Sequence, residues 1–297
     1  MNHIKDQIRC GAAYRLGLTG KGIGVAVLDT GIFLHRDFDS RVTGFADMVN
    51  GKNFAYDDCG HGTHICGIIG GSGRMSSGRY SGIAPGCDLV MVKVLDRKGN
   101  GYSSDVLAGI SWILERKEKL GIRILNISVG ACSKRGMSEN SALVKGVNRA
   151  WDAGLVVVVA AGNNGPRTMS ITTPGISRKV ITVGCSDDDR EVLVGGNRMV
   201  DYSGRGPTAA CICKPDLVAP GCSVVSCAGR ADKYTIKSGT SMSTPIVSGA
   251  TALLLERYPD MTNKDVKLKL RESCTDIGLP RNQQGWGLLD VEKLVSK

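Results

Sequence analysis

Short runs of β-branched and aliphatic residues alternate along this chain with longer segments that repeat every three to four positions. Residues 23–28, 89–95, 123–127, 155–160 and 180–183 are almost wholly apolar, the pattern of strands covered on both faces. Between them, residues 104–120 put Val106, Leu107, Ile110, Ile113 and Leu114 on one stripe, which predicts an amphipathic helix. Helices are also predicted over 138–153 and 241–257, and a last one over 264–273 behind Thr262 as its N-cap. Strand, helix and strand in succession imply right-handed crossovers and a mostly parallel sheet with helices on both faces. The expected fold class is therefore α/β, three-layer α/β/α. No linker, repeat or low-complexity stretch divides the sequence, so residues 1–297 are read as one domain.

Composition changes this picture little. The chain has 38 basic and 28 acidic residues, a net charge of +10. The basic residues are scattered and interrupted by acids, as in Arg116-Lys117-Glu118-Lys119, and no helix-turn-helix or zinc-finger pattern accompanies them. With only 5% aromatic residues there is little to stack on bases, so no nucleic-acid partner is expected. The longest apolar run, 155–161, falls far short of the roughly 18 to 20 residues that span a bilayer, so no membrane partner is expected either. The 11 cysteines are an odd number without a CxxC pair, and the histidines at 3, 35, 61 and 64 lie far from Cys211, Cys213, Cys222 and Cys227. Free thiols in a reducing compartment are expected, with no metal site. The N-terminus lacks the apolar core of a secretory signal, so the chain reads as cytoplasmic, or as secreted if a leader has been removed.

Three segments carry candidate chemistry. Asp29 closes the apolar strand Val25-Ala26-Val27-Leu28, where a lone aspartate is ordinarily a turn former. Gly60-His61-Gly62-Thr63-His64 opens a predicted helix; His61 and His64 have a spacing that metal ligands use, but no carboxylate pattern follows. Ser241, in Ser238-Gly239-Thr240-Ser241-Met242-Ser243-Thr244-Pro245, stands at or near a helix start. There a serine is ordinarily a cap, yet the N–H groups and dipole of a helix start also favour a developing oxyanion.

Taken together, Val-Leu-Asp29-Thr-Gly, Gly-His61-Gly-Thr-His and Gly-Thr-Ser241-Met-Ser-Thr-Pro resemble the three catalytic blocks of the subtilisin-type serine peptidases, in that family's order. The resemblance extends through Gly82-Ile83-Ala84-Pro85, Asn126-Ile127-Ser128-Val129-Gly130, Ala160-Ala161-Gly162-Asn163-Asn164-Gly165, Ser203-Gly204-Arg205-Gly206-Pro207 and Lys214-Pro215-Asp216-Leu217-Val218-Ala219-Pro220-Gly221, and so covers nearly the whole chain. It implies a subtilisin-like fold and a serine endopeptidase acting on polypeptides. Ser241 would be the nucleophile, His61 the general base and Asp29 the group that orients it, with activity falling as His61 protonates near or below pH ~6.5. Asn163 would donate to the oxyanion beside the Ser241 N–H. By the same resemblance, Gly99-Asn100-Gly101 and Ser128-Val129-Gly130 would be the two edges between which substrate pairs as a strand. Ala160-Ala161-Gly162 would wall a primary pocket for a bulky apolar side chain. Arg97 and Lys98 would favour acidic residues upstream of the cut, unless they are simply a solvated turn.

The sequence departs from the family in places. The family's strong calcium site uses a loop behind the histidine helix, and here residues 70–80 hold no acid and two arginines. Calcium prefers oxygen ligands, so no cofactor is expected to be required, and Asp37 alone does not restore that site; other calcium sites stay open. With 28 residues ahead of Asp29, a proregion is expected to be dispensed with or already removed. Ser243 replaces the family's usual alanine, a change expected to be tolerated. Cys59 and Cys66 flank His61, so thiol reagents are expected to slow the enzyme unless both thiols are buried and inert. The alternatives are a catalytically silent binding module on the same fold, or a processing protease for one dedicated precursor. Oligomeric state is not legible.

Overall fold

The computed structural model describes residues 1–130 and 139–296; the first residue of the helix expected over 138–153, and Cys132, lie outside them. In chain order the elements are α1 (Asn2–Gln7), α2 (Gly11–Arg15), β1 (Gly24–Asp29), β2 (Val42–Asp47), α3 (His61–Gly70), β3 (Asp88–Lys93), α4 (Ser103–Arg116), β4 (Ile122–Ile127), α5 (Ala142–Asp152), β5 (Val156–Ala160), β6 (Ile181–Cys185), β7 (Val192–Val194), β8 (Asn197–Met199), β9 (Leu217–Ala219), β10 (Val224–Cys227), β11 (Tyr234–Lys237), α6 (Thr240–Arg257), α7 (Asn263–Ser273), α8 (Arg281–Gln284) and α9 (Val291–Val295). Seven strands form one parallel sheet in the order β2-β3-β1-β4-β5-β6-β9. β7 with β8 and β10 with β11 make two antiparallel hairpins.

Every residue of β1, β5 and β6 is buried, which is why these strands read as continuous apolar runs. Helices cover both faces, because successive strand residues point to opposite sides. Met91 meets α3 at Gly62, whereas its neighbour Val92, together with Leu28, meets α4 at Gly109. α3 packs with α6, and α4 packs with α5, giving a three-layer α/β/α arrangement of the expected class. From Thr240 to Leu255, α6 is buried at every position but Ser241, as befits a helix without a polar face.

Element bounds shift where side-chain chemistry intervenes. α4 ends at Arg116, and the chain makes one more turn before closing at Gly121 (φ +58), where the Ile122 N–H donates to Lys117 O. α5 starts behind Ser141, whose Oγ accepts from the Val144 N–H. Thr262 caps α7 in a reciprocal box with Asp265. β2 went unread because it is half-exposed and holds Gly44, and β9 because three residues carry no periodicity.

Candidate active site

β1 and β3 are in register to their carboxyl ends, where Asp29 lies opposite Lys93. That end of a parallel sheet is where open α/β folds gather their chemistry. Asp29 is sealed from solvent (0% exposed). Its Oδ1 accepts from the Thr30 N–H at 2.7 Å, and its two oxygens stand 2.8 and 2.9 Å from His61 Nδ1. A carboxylate can only accept, so Nδ1 carries the proton and Nε2 is left as the acceptor. The largest influence on the imidazolium is burial, which disfavours it. The Asp29 charge and hydrogen bond outweigh burial, and the net effect raises the His61 pKa above its ordinary 6.5.

A dense frame holds this pair. Asp57 Oδ1 accepts from the Gly60 N–H (2.7 Å) and the Thr30 Oγ–H (2.9 Å), and Oδ2 from the Thr63 N–H (2.9 Å) and hydroxyl (2.6 Å). Thr30 Oγ1 in turn accepts from the Gly62 N–H at 2.9 Å. Gly62 is obligatory, because a Cβ there would overlap Gly31 O. Beneath lies Lys93, with no exposed surface, whose Nζ donates to Thr30 O at 2.6 Å and to Asp58 Oδ1 and Leu95 O at 2.7 Å. Sequence reasoning missed Asp57 and Lys93. A charged residue ending an apolar strand was the available signal for Lys93.

Ser241 is the second residue of α6 and half-buried. Its Oγ donates to Ser128 O at 2.7 Å; among the described residues no hydrogen bond joins it to His61. Asn163 follows β5, and its Oδ1 accepts from the Thr240 N–H and hydroxyl, both at 3.0 Å. That fixes the amide with its NH₂ as the remaining donor, on the side where a Cβ on Gly239 would lie 3.3 Å from Nδ2.

The two expected substrate edges meet. Gly99, Asn100 and Gly101 line one groove with Val129 and Gly130, a space of about 230 Å³ walled by Leu95, Val106 and Val147. The first edge is shaped by Asp96, whose Oδ1 accepts from the Lys98 and Asn100 N–H groups. Arg97 and Lys98 are exposed. Ser128 itself is buried. Ala160 and Ala161 lie in the core at 3% and 0% exposure, outside this groove, and only Gly162 of that trio is half-buried.

At the loop that the resemblance gives to calcium, the nearby acid Asp37 is held by protein donors. Asp37 Oδ1 accepts from the Met75 N–H and Oδ2 from the Tyr234 hydroxyl at 2.6 Å, while Arg74 pairs with Asp39. Its carboxylate is satisfied by protein donors, and the residues do not fit calcium. No helix among the described residues is long and apolar enough to cross a membrane.

The family model for the subtilase family matches residues 20–287. The serine protease AprX of Bacillus subtilis is 42% identical over 292 residues, 93% of this chain and 65% of that protein. The chain thus spans about two thirds of AprX. Subtilisin BL of Lederbergia lenta is 34% identical, with 97% of this chain and 96% of that protein covered. Among solved structures, sphericase superposes with a TM-score of 0.79 at 31% identity, over 92% of this chain and 93% of its own. An aspartate at a strand end, a histidine and a serine each opening a helix, and these likenesses along nearly the full length agree: the chain belongs to the subtilase family.

Proposed function

We propose that the chain is a serine endopeptidase acting on polypeptides, with residues 1–297 working as one domain. The observation that carries the reading is the Asp29–His61 contact at 2.8 Å, with Ser241 at the start of α6, the helix that packs against the His61 helix α3. Substrate would lie as an added strand between residues 99–101 and 128–130, and its upstream side chains would enter the groove. Ser241 Oγ would leave Ser128 O and turn toward His61 Nε2, a bond that in free enzymes often tightens only with substrate bound. As Oγ attacks the carbonyl carbon, His61 takes its proton and Asp29 stabilises the imidazolium. The Asn163 NH₂ and the Ser241 N–H would receive the oxyanion. His61 then protonates the leaving amine, and a water deprotonated by the same ring releases the acid. A bulky apolar residue beside Gly162, acidic residues near Arg97 and Lys98, and activity without calcium at the 70–80 loop belong to the same reading.

The test is labelling by a fluorophosphonate beside a Ser241→Ala control and a digest of denatured casein. Labelling lost in the control, with casein cleaved, supports the endopeptidase. One observation favours the silent binding module instead, namely that Ser241 Oγ is bonded to Ser128 O. No labelling of the folded protein would mean a disassembled site and make that alternative the leading reading. Labelling without casein cleavage would point to processing of one dedicated precursor. The relatives' names lend no support to a cytoplasmic location, and free thiols alone do not assign a compartment.

A further inference from the structure

Two thiols and a carboxylate from two segments meet away from the groove. Cys185 ends β6, Asp187 lies just behind it, and Cys222 stands in the turn after β9. One ligand atom from each lies within 4.8 Å of the other two. Cys185 Sγ is 3.1 Å from Asp187 Oδ1, and the Tyr202 hydroxyl bridges the two sulfurs at 3.2 and 3.1 Å. The surrounding backbone orients this cluster: the Gly221 and Cys222 N–H groups donate to Asp187 Oδ1 at 2.7 and 3.1 Å, and the Cys185 N–H donates to Ser203 Oγ at 2.9 Å. Residue 221 must be glycine, since a Cβ there would stand 2.8 Å from Cys185 Sγ. Cys185 and Tyr202 are sealed, whereas Cys222 keeps 8% exposure and Asp187 is half-buried, so one side opens to solvent.

We propose that Cys185, Asp187 and Cys222 form a binding site for one thiophilic divalent cation of the zinc and cadmium class, with Tyr202 or a water as fourth ligand. A tetrahedral zinc with bonds of about 2.3 Å to sulfur and 2.0 Å to oxygen separates its ligands by about 3.5–3.8 Å, so side-chain shifts on the order of 1 Å suffice. Two sulfurs and one oxygen select this class over calcium or magnesium. Entry of one dication releases one proton from each thiol to solvent, so charge balances. The ion would also brace the turn that seats the start of α6. Gly221 O accepts from the Gly239 N–H at 3.0 Å, and Ser243 Oγ donates to Ala219 O and Pro220 O at 2.9 and 3.2 Å. A second cluster, His35 with Asp37 and Cys227, serves as the internal contrast. There Asp37 is already satisfied, and His35 Nδ1 accepts from the Asp37 N–H at 3.1 Å.

The experiment uses the reduced full chain carrying Ser241→Ala, with Cys211→Ser and Cys213→Ser to remove the exposed Cys-x-Cys pair. Cadmium is titrated while the ultraviolet thiolate-to-metal band is followed, and zinc-loaded protein is studied by X-ray absorption. One equivalent is expected, with two sulfur scatterers and oxygen completing the shell. Cys222→Ser should weaken binding about 100-fold or more, whereas Cys227→Ser and Cys59→Ser should leave it unchanged. A shell of one sulfur and one imidazole, no binding by the reduced parent, or full affinity in Cys222→Ser would overturn the proposal. The absorption measurement needs no substitution within the cluster, so a variant that fails to fold does not obscure the answer. Nor does the outcome depend on whether the protein cleaves peptides.

Discussion

Lys93→Met removes an ammonium that ties three parts of the site together while keeping most of the side-chain volume. The lysine has no exposed surface, and its three acceptors are Thr30 O, Asp58 Oδ1 and Leu95 O. Asp58 is 41% exposed and regains water, so that ion pair counts for little. The two carbonyls are buried, and each buried acceptor left without its donor costs about 1–3 kcal/mol. The expected loss is about 2–6 kcal/mol, a fall in melting temperature of about 3–10 °C for a chain of this size. Thr30 adjoins Asp29, and Asp58 lies in the loop leading into His61, so kcat should fall as the pair shifts. Stability is read by thermal and urea unfolding in a Ser241→Ala background, which prevents self-digestion, and kinetics by a chromogenic peptide in the active protein. Lys119→Met, at an exposed position, should stay within about 0.5 kcal/mol of the parent. A loss under about 1 kcal/mol for Lys93→Met, with kcat/KM within about twofold, would refute the reasoning from unsatisfied carbonyls.

Asn163→Asp keeps an acceptor for the Thr240 N–H and hydroxyl but removes the donor NH₂. It should cost about 100- to 1,000-fold in kcat, a range that derives from subtilisin itself, and a loss confined to KM would contradict an oxyanion role. The kcat/KM limb should fall as pH drops through a value above 6.5, because protonated His61 cannot accept the Ser241 proton; a limb at or below 6.5 would count against the Asp29 pairing. For stability the signs oppose. The raised pKa of His61 contributes stability that is complete below 6.5 and lost as pH rises through its folded value. His64, lowered to about 3 by burial above all and then by the Lys237 and His61 charges, must stay neutral in the fold. Its contribution is therefore lost as pH falls from 6.5 toward about 3, and any advantage in urea midpoint of Ser241→Ala over Ser241→Ala/His64→Gln should shrink over that interval. Alkylation of the native protein should slow it through exposed Cys59, not through buried Cys66, and Cys59→Ser should abolish the effect; slowing that persists would place the sensitive thiol elsewhere.

Local order was written in the sequence because neighbouring side chains create it. The apolar runs at 23–28 and 155–160 needed only to be buried on both faces to become β1 and β5. Asp29 at a strand end and His61 and Ser241 at helix starts followed from where those periodicities stop. Three relations depended on chain segments far apart in sequence, which no periodicity links. Lys93 reads as an oddity in an apolar strand until Thr30, Asp58 and Leu95 close around its ammonium. Ser243 is a tolerable substitute for alanine by sequence, yet its hydroxyl reaches the carbonyls of Ala219 and Pro220. Cys222 has Cys227 as its neighbour in sequence, but the parallel pairing of β6 with β9 brings it to Cys185 instead. Packing the sheet decides such meetings, since it sets which strand ends and turns are brought side by side, whatever their separation in sequence.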